Sequence, residues 1–399
     1  MSGAAIELDV LVFGGGAAGM WLLDGLARRG DRVLLAEPYA LGHGQTIASQ
    51  GIIHGGLKYT LTGMLTGSAK AIREMPGVWR DCLAGKAQPD LRGTRVRSEF
   101  CYLWSTQSLR GKVGLIGAKR GLRVAPKVLS DDERPALLAA CPGSVLRLDE
   151  QVISPASFLA DLSERHARRL LHFDPQQVEM QRQDDCVAVT LKHPHDDAML
   201  RLRPRRVIFC AGGGNAALRQ AAGLSEDVMQ RRPLHMVLLR GFAQSLPPFN
   251  GHCADGAHTR VTITSDTDAQ GRTIWQVGGQ IAEEGVAMSP EELVRHAKAE
   301  LSAALSGHSF DRVEWATYRV DRAEKRMPGG LRPENVTVLE DGPIFTAWPT
   351  KLALVPELAR RIVELIPPLH GVGFEEINWP RPAVALPPWE TEKHWLRDV

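Results

Sequence analysis

The feature that most restricts the fold is a glycine-rich turn near the N-terminus, placed between an apolar strand and a helix. The run Asp9-Val-Leu-Val-Phe-Gly-Gly-Gly-Ala-Ala-Gly19 has the spacing G-x-G-x-x-G. In such a turn the glycines allow a tight bend, the approach of a pyrophosphate to the backbone, and close packing of helix on strand. The next apolar run, Val33–Ala36, ends in Glu37, a position from which a carboxylate accepts hydrogen bonds from ribose hydroxyls. The sequence therefore predicts a dinucleotide site contacted by Gly14, Gly16, Ala18, Gly19 and Glu37.

Composition excludes several classes of protein. A chain of 399 residues suggests two or three domains, and a net charge of +2 gives no argument for nucleic acid binding. No apolar run reaches the ~18 residues that a membrane span requires. Six cysteines without a C-x-x-C pair favour reduced thiols over disulfides or zinc, so no metal site is predicted. We expect a cytoplasmic protein, and its weakly basic pI is compatible with peripheral contact at the inner face of a membrane.

A second strand followed by glycines, Val207-Ile-Phe-Cys-Ala-Gly212, lies far along the chain. The region after it alternates like antiparallel strands, with Thr259–Thr264 and Arg272–Gly278 forming a hairpin. We therefore expect an α/β fold in which a Rossmann-like domain is interleaved with an α+β domain built on a mostly antiparallel sheet. The predicted boundaries are 1–75, 145–225 and 325–370 for the first domain, 76–144 and 226–324 for the second, and 371–399 for a C-terminal tail.

Local signals predict several element ends. Ser154 is expected to cap a helix that has Pro155 at its first position and runs to about residue 171. Ser289-Pro-Glu-Glu292 is a capping box that begins another helix. Residues 340–349 are expected to form turns. Thr350–Ile366 has a helical pattern in which Pro356 requires either a kink or a later start.

The strand and glycine motifs, together with Gly51-Ile-Ile-His-Gly-Gly-Leu-Lys-Tyr59, resemble the FAD-dependent oxidoreductases of the D-amino-acid oxidase superfamily. The His-Gly-Gly-Leu-Lys-Tyr run is most similar to flavin-dependent glycerol-3-phosphate dehydrogenases, which have Arg in place of Lys58. The L-2-hydroxyglutarate dehydrogenases carry a related segment with the same histidine. The resemblance spans residues 9 to about 366 and is weakest in the inserted sheet, where the substrate is chosen. It implies FAD as the cofactor.

The resemblance also implies an anionic substrate. The family's Gly-Val-Arg-Pro strand corresponds to Thr317-Tyr-Arg-Val320, and its Gly-Gly-Lys turn to Trp348-Pro-Thr-Lys351. In the glycerol phosphate enzymes the basic residues that match Lys58, Arg319 and Lys351 surround the substrate phosphate. Their retention here implies that a small anion binds, while the altered neighbours argue against glycerol 3-phosphate itself.

Further flavin contacts follow from the family's layout. An isoalloxazine ring lies against backbone, which explains the glycines and small polar residues between residues 41 and 59. The adenine is expected to pack on the strand around Val178, and Lys351 at the start of the last helix would stabilise negative charge at the flavin's pyrimidine edge. The predicted contacts beyond the first turn are Thr46, Ser49, Gln50, Gly51, Val178, Ala211, Gly212, Thr350, Lys351 and Leu352.

The oxidation requires a base, and an imidazole suits this role because its ordinary pKa lies near neutrality. His54 in the flavin-facing segment is the first candidate, and His235 in the inserted sheet is the second. In related enzymes a histidine also bonds covalently to flavin, which leaves that alternative open for His54 and His43. Tyr59, Tyr318 and Trp348 are expected either to line the pocket or to belong to the core.

The sequence thus predicts an FAD-dependent dehydrogenase or oxidase of a small anionic 2-hydroxy acid, polyol phosphate or amino acid. Arg319, Lys58 and His54 are its predicted catalytic residues. The electron acceptor is open between oxygen, a quinone and another carrier. Two alternatives remain at this point: a non-catalytic flavin-binding scaffold, and a nicotinamide-dependent dehydrogenase, which the second strand–glycine motif disfavours.

Overall fold

The computed structural model describes residues 4–55, 67–106, 126–255, 258–368 and 376–397. Lys58 and Tyr59 lie outside these ranges. The described helices are α1 Ala17–Arg29, α2 Gly67–Leu83, α3 Pro155–Arg165, α4 Asn215–Ala221, α5 Gln280–Glu284, α6 Pro290–Ala304, α7 Val355–Leu365 and α8 Pro388–Thr391.

The described strands form two large sheets and one small one. The first half of the chain contributes β1 Ile6–Phe13, β2 Val33–Glu37, β3 Val96–Ser98, β4 Cys101–Trp104, β5 Lys127–Val128, β6 Val145–Leu148, β7 Val152–Ile153, β8 Leu170–His172 and β9 Val178–Arg182. The second half contributes β10 Val187–Lys192, β11 Met199–Phe209, β12 Met229–Gly241, β13 Gly251–Asp255, β14 His258–Thr267, β15 Thr273–Gly278, β16 Glu314–Lys325, β17 Thr337–Asp341 and β18 Ile344–Trp348.

The first sheet has the order β17-β18-β11-β1-β2-β8. Strands β18, β11, β1, β2 and β8 pair in parallel, while β17 and the β9–β10 extension are antiparallel. Strands β2 and β18 and the carboxyl-terminal parts of β1 and β11 are buried on both faces, as their continuous apolar runs require. Because they are parallel, their carboxyl ends lie at one edge of the sheet, and the two strand–glycine motifs meet there.

The second sheet has the order β16-β12-β15-β14-β13-β4-β6-β5 and is antiparallel except where β4 meets β13. One face packs on α6 through a core that includes Trp275, Val237 and Trp315. The other face carries Thr262, Gln276 and other buried polar side chains, and it contacts the segment of residues 46–54. This second face, which we call the inward face, lies against the predicted flavin-facing segment. The mixed α/β fold expected from the sequence is confirmed.

Several local predictions are confirmed and others are wrong. The Ser154 hydroxyl accepts a hydrogen bond from the amide of Ser157, and Ser289 forms its capping box with Glu292. The first of these helices ends at Arg165, and the chain turns into β8, so the expected extension to about residue 171 is wrong. Pro356 lies in the first turn of α7, which starts later than the helical pattern.

The prediction of turns over residues 340–349 is also wrong. Those residues belong mainly to a hairpin whose second strand, β18, is fully buried in the first sheet. Gly342, with φ of 68°, makes the turn between the two strands. The error arose because burial in a parallel sheet suppresses the polar–apolar alternation by which short strands are recognised.

The C-terminal residues 376–397 are irregular apart from the short α8. They contact both large sheets: the amide of His172 in β8 donates to the carbonyl of Pro380, and Leu396 pairs with Trp315 of β16. The proposed domain boundaries remain predictions. The strands themselves show that the first sheet draws on three separate stretches of chain and the second on two.

Candidate active site

The glycine turn brings the first strand of the parallel sheet close to its neighbours. A Cβ on Gly14, whose φ is 105°, would lie 2.6 Å from the backbone of Ala211, and one on Gly19 would lie 1.9 Å from the Gly14 carbonyl oxygen. Gly16 precedes α1, whose N-terminus has no side-chain cap. Ala18 lies in the first turn of that helix. These contacts require glycine and leave amide groups available for an anion.

Glu37 is held at the end of β2 by the same turn. Its carboxylate accepts hydrogen bonds from the amides of Gly15 at 2.6 Å and Tyr39 at 3.0 Å. Burial of this carboxylate raises its pKa, and these two hydrogen bonds oppose that rise. Val178 begins β9, which lies beyond β10 in the same sheet, and it is half-buried against an apolar cluster that includes Ile6.

The predicted flavin-facing segment is fixed on both sides. Thr46 accepts a hydrogen bond from the amide of Ala17, and the Gln50 side chain donates to the carbonyls of Thr262 and Gln276 at 3.1 and 2.9 Å. Gly51 has φ of 72°, and a Cβ there would lie 2.0 Å from the carbonyl oxygen of Ile153. The segment is therefore close-packed backbone between the two large sheets.

A second group of predicted contacts lies where β11 and β18 end. The indole of Trp348 donates to the carbonyl of Gly212 at 3.4 Å, beside Ala211. Thr350 has φ of 61°, which is a strained conformation for a β-branched residue. Lys351 follows it and precedes the 3₁₀ turn Leu352–Leu354 that leads into α7. The structure thus brings the residues predicted from separate motifs to the same edge of the parallel sheet.

His54 belongs to a group that we call the two-histidine cluster: His54, Glu150 and His252. The Oε2 atom of Glu150 lies 3.5 Å from Nδ1 of His54 and 3.6 Å from Nε2 of His252. Its other oxygen accepts from the amide of Gly55 at 2.7 Å. Burial pushes the pKa of Glu150 upward, but the two imidazoles outweigh it and hold this pKa well below its usual value.

A buried arginine on the small two-stranded sheet pairs with the inward face at another position. Arg97 on β3 pairs with Asp266 of β14 at 2.6 Å, and Asp266 also binds Arg95 at 2.7 Å. The Arg97 side chain is 3% exposed, and its Nε and Nη1 atoms have no hydrogen-bond partner among the described residues. Burial lowers the pKa of Arg97 to about 10. Two guanidinium groups share one carboxylate, so the group carries one excess positive charge.

Arg319 and Tyr318 are consecutive in β16 and therefore face opposite sides of the sheet. The Tyr318 hydroxyl reaches the inward face and donates to the carbonyl of Ala48 at 2.9 Å; its pKa is raised by burial. The Arg319 guanidinium donates instead to the carbonyls of Val286 and Met288, on the helix side.

The other predicted histidines are separate from the cluster. His235 is cross-strand partner to Arg319, and its Nδ1 lies 3.0 Å from the Gly285 carbonyl oxygen, so it too faces the helix side. Burial lowers its pKa. His43 is exposed, with its ring 5.0 Å from that of Tyr39.

Sequence reasoning did not identify Glu150, His252 or Arg97. None of them lies in a recognisable motif: Arg97 and His252 lie within the strands β3 and β13, and Glu150 lies in the short connection between β6 and β7. One signal was available: β14 carries the polar residues Thr262, Thr264 and Asp266 at alternate positions, on one face of the strand. In the structure all three of these residues are buried, which is unusual for polar side chains on a sheet face.

The described residues fit FAD at the expected place. The hydroxyl of Ser49 is buried without a hydrogen-bond partner among them, and the start of α1, where the N-cap residue Gly16 has no side chain, lies beside the glycine turn. Gly16 has open space apart from the Thr46 hydroxyl, which would be 3.0 Å from an added Cβ. Phosphate oxygens and flavin carbonyls are suitable partners for such donors.

No described helix is long and apolar enough to cross a membrane.

Comparison with known proteins agrees with this geometry. The family model described as "FAD dependent oxidoreductase" matches residues 9–348. The chain is 38% identical over 395 residues to the probable FAD-dependent oxidoreductase PA4991 of Pseudomonas aeruginosa, covering 97% of this chain and 98% of that protein. The crystal structure of PA4991 superposes with a TM-score of 0.82 at 35% identity, covering 98% of this chain and 99% of the other.

More distant structures share the fold. Glycine oxidase from Geobacillus kaustophilus has a TM-score of 0.65 at 14% identity and covers 93% of this chain and 97% of its own. The L-alpha-glycerophosphate oxidase from Mycoplasma pneumoniae, solved with FAD bound, has a TM-score of 0.65 at 13% identity, with 98% and 100% coverage.

Proposed function

The chain belongs to the family of FAD-dependent oxidoreductases, and from this premise we propose that it oxidises a small anionic hydroxy or amino compound. The proposed substrate classes are 2-hydroxy acids, polyol phosphates and amino acids. When bound, FAD supplies the hydride acceptor at its N5. Oxygen, a quinone or another carrier would then reoxidise the enzyme.

Because all six cysteines are free thiols, we also propose a reducing, cytoplasmic location.

We propose that the cofactor is held by the residues that the sequence singled out. The glycine turn and Glu37 would bind the ADP half, and the segments at the ends of β11 and β18 would bind the flavin. Glu37 would exchange its hydrogen bond from Gly15 for ribose hydroxyls. Two observations support this arrangement: the N-cap residue of α1 is Gly16, which has no side chain to cover the helix start, and the buried Ser49 hydroxyl has no hydrogen-bond partner among the described residues.

The single observation that carries the mechanism is the position of His54 beside Glu150, at the end of the flavin-facing segment. The carboxylate next to Nδ1 favours the tautomer with its proton on that nitrogen, which places the basic lone pair of the neutral ring on Nε2. The His54 side chain is 38% exposed, so a substrate can reach it. His54 would take the hydroxyl or amine proton as the C–H hydride leaves.

Binding of an anion requires a positive charge near the reacting carbon. The resemblance assigns this role to Lys58, Arg319 and Lys351. Among the described arginines, Arg97 has the stronger geometric support, because its unpartnered donors lie buried on the inward face. We propose that Arg97 with Lys351 and Lys58 binds the substrate anion, and Arg319 is the alternative that the resemblance favours.

The proposal is tested by anaerobic reduction of the purified flavoprotein. A panel of 2-hydroxy acids, amino acids and polyol phosphates is added, and bleaching of the flavin band is followed. We expect at least one anionic compound to bleach it, and His54→Ala to slow bleaching by about 100-fold or more without loss of FAD. His43→Ala is the matched control, since this exposed histidine lies outside the cluster.

Two outcomes would contradict the proposal. If no compound on the panel bleaches the flavin, the proposed substrate classes are wrong. Unchanged bleaching in His54→Ala would remove His54 as the base.

A further inference from the structure

We propose that the two-histidine cluster binds one divalent transition-metal cation, with Zn²⁺ as the probe, and that this ion prevents His54 from accepting a proton. The binding itself is independent of the proposed function, but its inhibitory consequence rests on that function. The donor set is two imidazole nitrogens and one carboxylate oxygen, all of which lie within 4.8 Å of one another. These are ligands that Zn²⁺ and its neighbours in the first transition row accept.

The two distances from Oε2 of Glu150 to the imidazole nitrogens fit a shared ion better than they fit hydrogen bonds. The two distances from Oε2 of Glu150 are 3.5 and 3.6 Å, longer than a good N–H···O hydrogen bond. Two ligands bound at 2.0–2.1 Å in tetrahedral geometry are roughly 3.4 Å apart. Nε2 of His252 is buried and has no hydrogen-bond partner among the described residues. An ion between these atoms would satisfy it.

Hydrogen bonds from neighbouring groups orient His252 and Glu150 so that their donor atoms point toward the centre of the cluster. Nδ1 of His252 lies 3.0 Å from the hydroxyl oxygen of Thr262, which can accept its proton and leave the lone pair on Nε2. The amide of Gly55 holds the other oxygen of Glu150 at 2.7 Å, which turns Oε2 toward the histidines. Such supporting hydrogen bonds are what fix ligands in known metal sites.

Burial and charge favour a cation. Glu150 is 5% exposed and His252 is 4% exposed, so the carboxylate is held away from water, and its ion-pair partners among the described residues are the two imidazoles. A buried carboxylate requires a compensating positive charge. A cation held by the three donors would supply it.

The consequence for His54 follows from imidazole chemistry. When Nδ1 binds a metal, the remaining ring nitrogen carries the proton and has no lone pair to offer. The metal-bound form thus cannot act as the base. Three protein ligands also leave one coordination position for water or a substrate oxygen.

The test measures Zn²⁺ bound to the full-length flavoprotein by equilibrium dialysis with elemental analysis, in a buffer free of chelators. We expect one ion per chain in the wild type, and affinity lowered by at least about 10–100-fold in Glu150→Gln and in His252→Gln. The matched control is His296→Gln, which removes an imidazole that pairs with Glu284 at 3.1 Å outside the cluster. It should bind as the wild type does. Circular dichroism and FAD content verify that each variant is folded.

Cobalt substitution gives a second readout that is independent of activity, because a four-coordinate Co²⁺ site is intensely coloured and an octahedral aqua ion is not. The metal site would be overturned if the wild type showed no saturable binding, or if Glu150→Gln and His252→Gln bound the ion as tightly as the wild type.

Measurement of turnover with a substrate that bleaches the flavin distinguishes the two parts of the proposal. Zn²⁺ should lower turnover and a chelator should restore it. Binding without inhibition would overturn the blocking role of the metal and the assignment of His54 as the base, while leaving the site itself.

Discussion

The glycine turn of residues 14–19 and the inward face of the inserted sheet both adjoin the predicted flavin position, but they are assembled differently. The turn is made by one short stretch of sequence, in which each residue's role follows from its neighbours. The inward face takes Arg97, Glu150, His252 and Tyr318 from four strands or strand ends that are distant in the chain. If the proposed roles hold, the first part of the cofactor site is encoded locally and the substrate site is encoded by strand pairing. The following predictions test this difference.

The largest effect is expected for Gly19→Ala. The added methyl group would lie 1.9 Å from the Gly14 carbonyl oxygen, so strand and helix must separate and the phosphate-binding amides must move. Overpacking of this kind costs about 1–3 kcal/mol, which lowers FAD affinity by about 10–100-fold. The measurement is flavin absorbance per chain after gel filtration.

Gly25→Ala is the control within the same helix. There the nearest atom, a methyl carbon of Val363, is 3.7 Å from an added Cβ, which is ordinary contact. This variant should keep its FAD and gain about 0.5–1 kcal/mol of stability. If Gly19→Ala retained FAD equally well, the local encoding of the cofactor site would be refuted.

Arg97→Met and Arg319→Met compare the two faces of the inserted sheet. Removal of Arg97 should raise KM for an anionic substrate by about 10–100-fold, since a hydrogen bond to a charged group contributes about 1.5–3 kcal/mol. Arg319 binds two backbone carbonyls on the helix side. Its removal should therefore lower the free energy of unfolding and leave KM close to the wild-type value. A larger rise in KM for Arg319→Met would restore the role that the resemblance assigns to it.

Asp24→Asn tests the dinucleotide-binding part by its pH dependence. Burial pushes the pKa of Asp24 upward, but hydrogen bonds from His166 and Arg28 outweigh this and hold the pKa below its usual 3.8. The stabilisation is therefore complete above about pH 4 and is lost as the pH falls toward the lower, folded-state value. We expect the variant to be less stable by about 1–3 kcal/mol at pH 7.

The gap in unfolding free energy between wild type and Asp24→Asn should narrow as the pH falls below about 4. Chemical denaturation at a series of pH values measures it. A gap that stays constant across this range would show that the charge of Asp24 makes no contribution.

The smallest effect is expected for Tyr318→Phe. The variant loses the hydrogen bond from the Tyr318 hydroxyl to the Ala48 carbonyl and the one that this hydroxyl accepts from the Gln276 side chain at 3.0 Å. The Gln276 amide keeps its longer contact with the same carbonyl at 3.5 Å, so we expect a loss of about 1 kcal/mol. Thermal unfolding of the holoenzyme measures this loss, and Tyr39→Phe at an exposed tyrosine is the control. An unchanged melting temperature would mean that the two regions are not joined through this contact.

Much of the fold was predictable because its signals are local. The strand–glycine–helix motif, the Ser154 and Ser289 caps and the hairpin after Thr259 depend on residues within one or two turns of each other. The hairpin at residues 337–348 was missed, because a strand buried on both faces has no alternation to reveal it. His54 could be singled out as a candidate from its motif, but its neighbours Glu150 and His252 could not, since no pattern links residues so far apart.

The sequence by itself determined the cofactor class and the existence of an inserted antiparallel sheet. The strand–glycine–helix pattern is contained within a few residues, so it can be recognised without knowing the fold, although the close contacts of Gly14 with Ala211 and of Gly51 with Ile153 are tertiary. The tertiary structure decided which side of that sheet each residue faces. A shift of one residue along β16 separates Tyr318 on the inward face from Arg319 on the helix side, and strand register is set by long-range pairing. The same pairing brings His252 and Glu150 to His54.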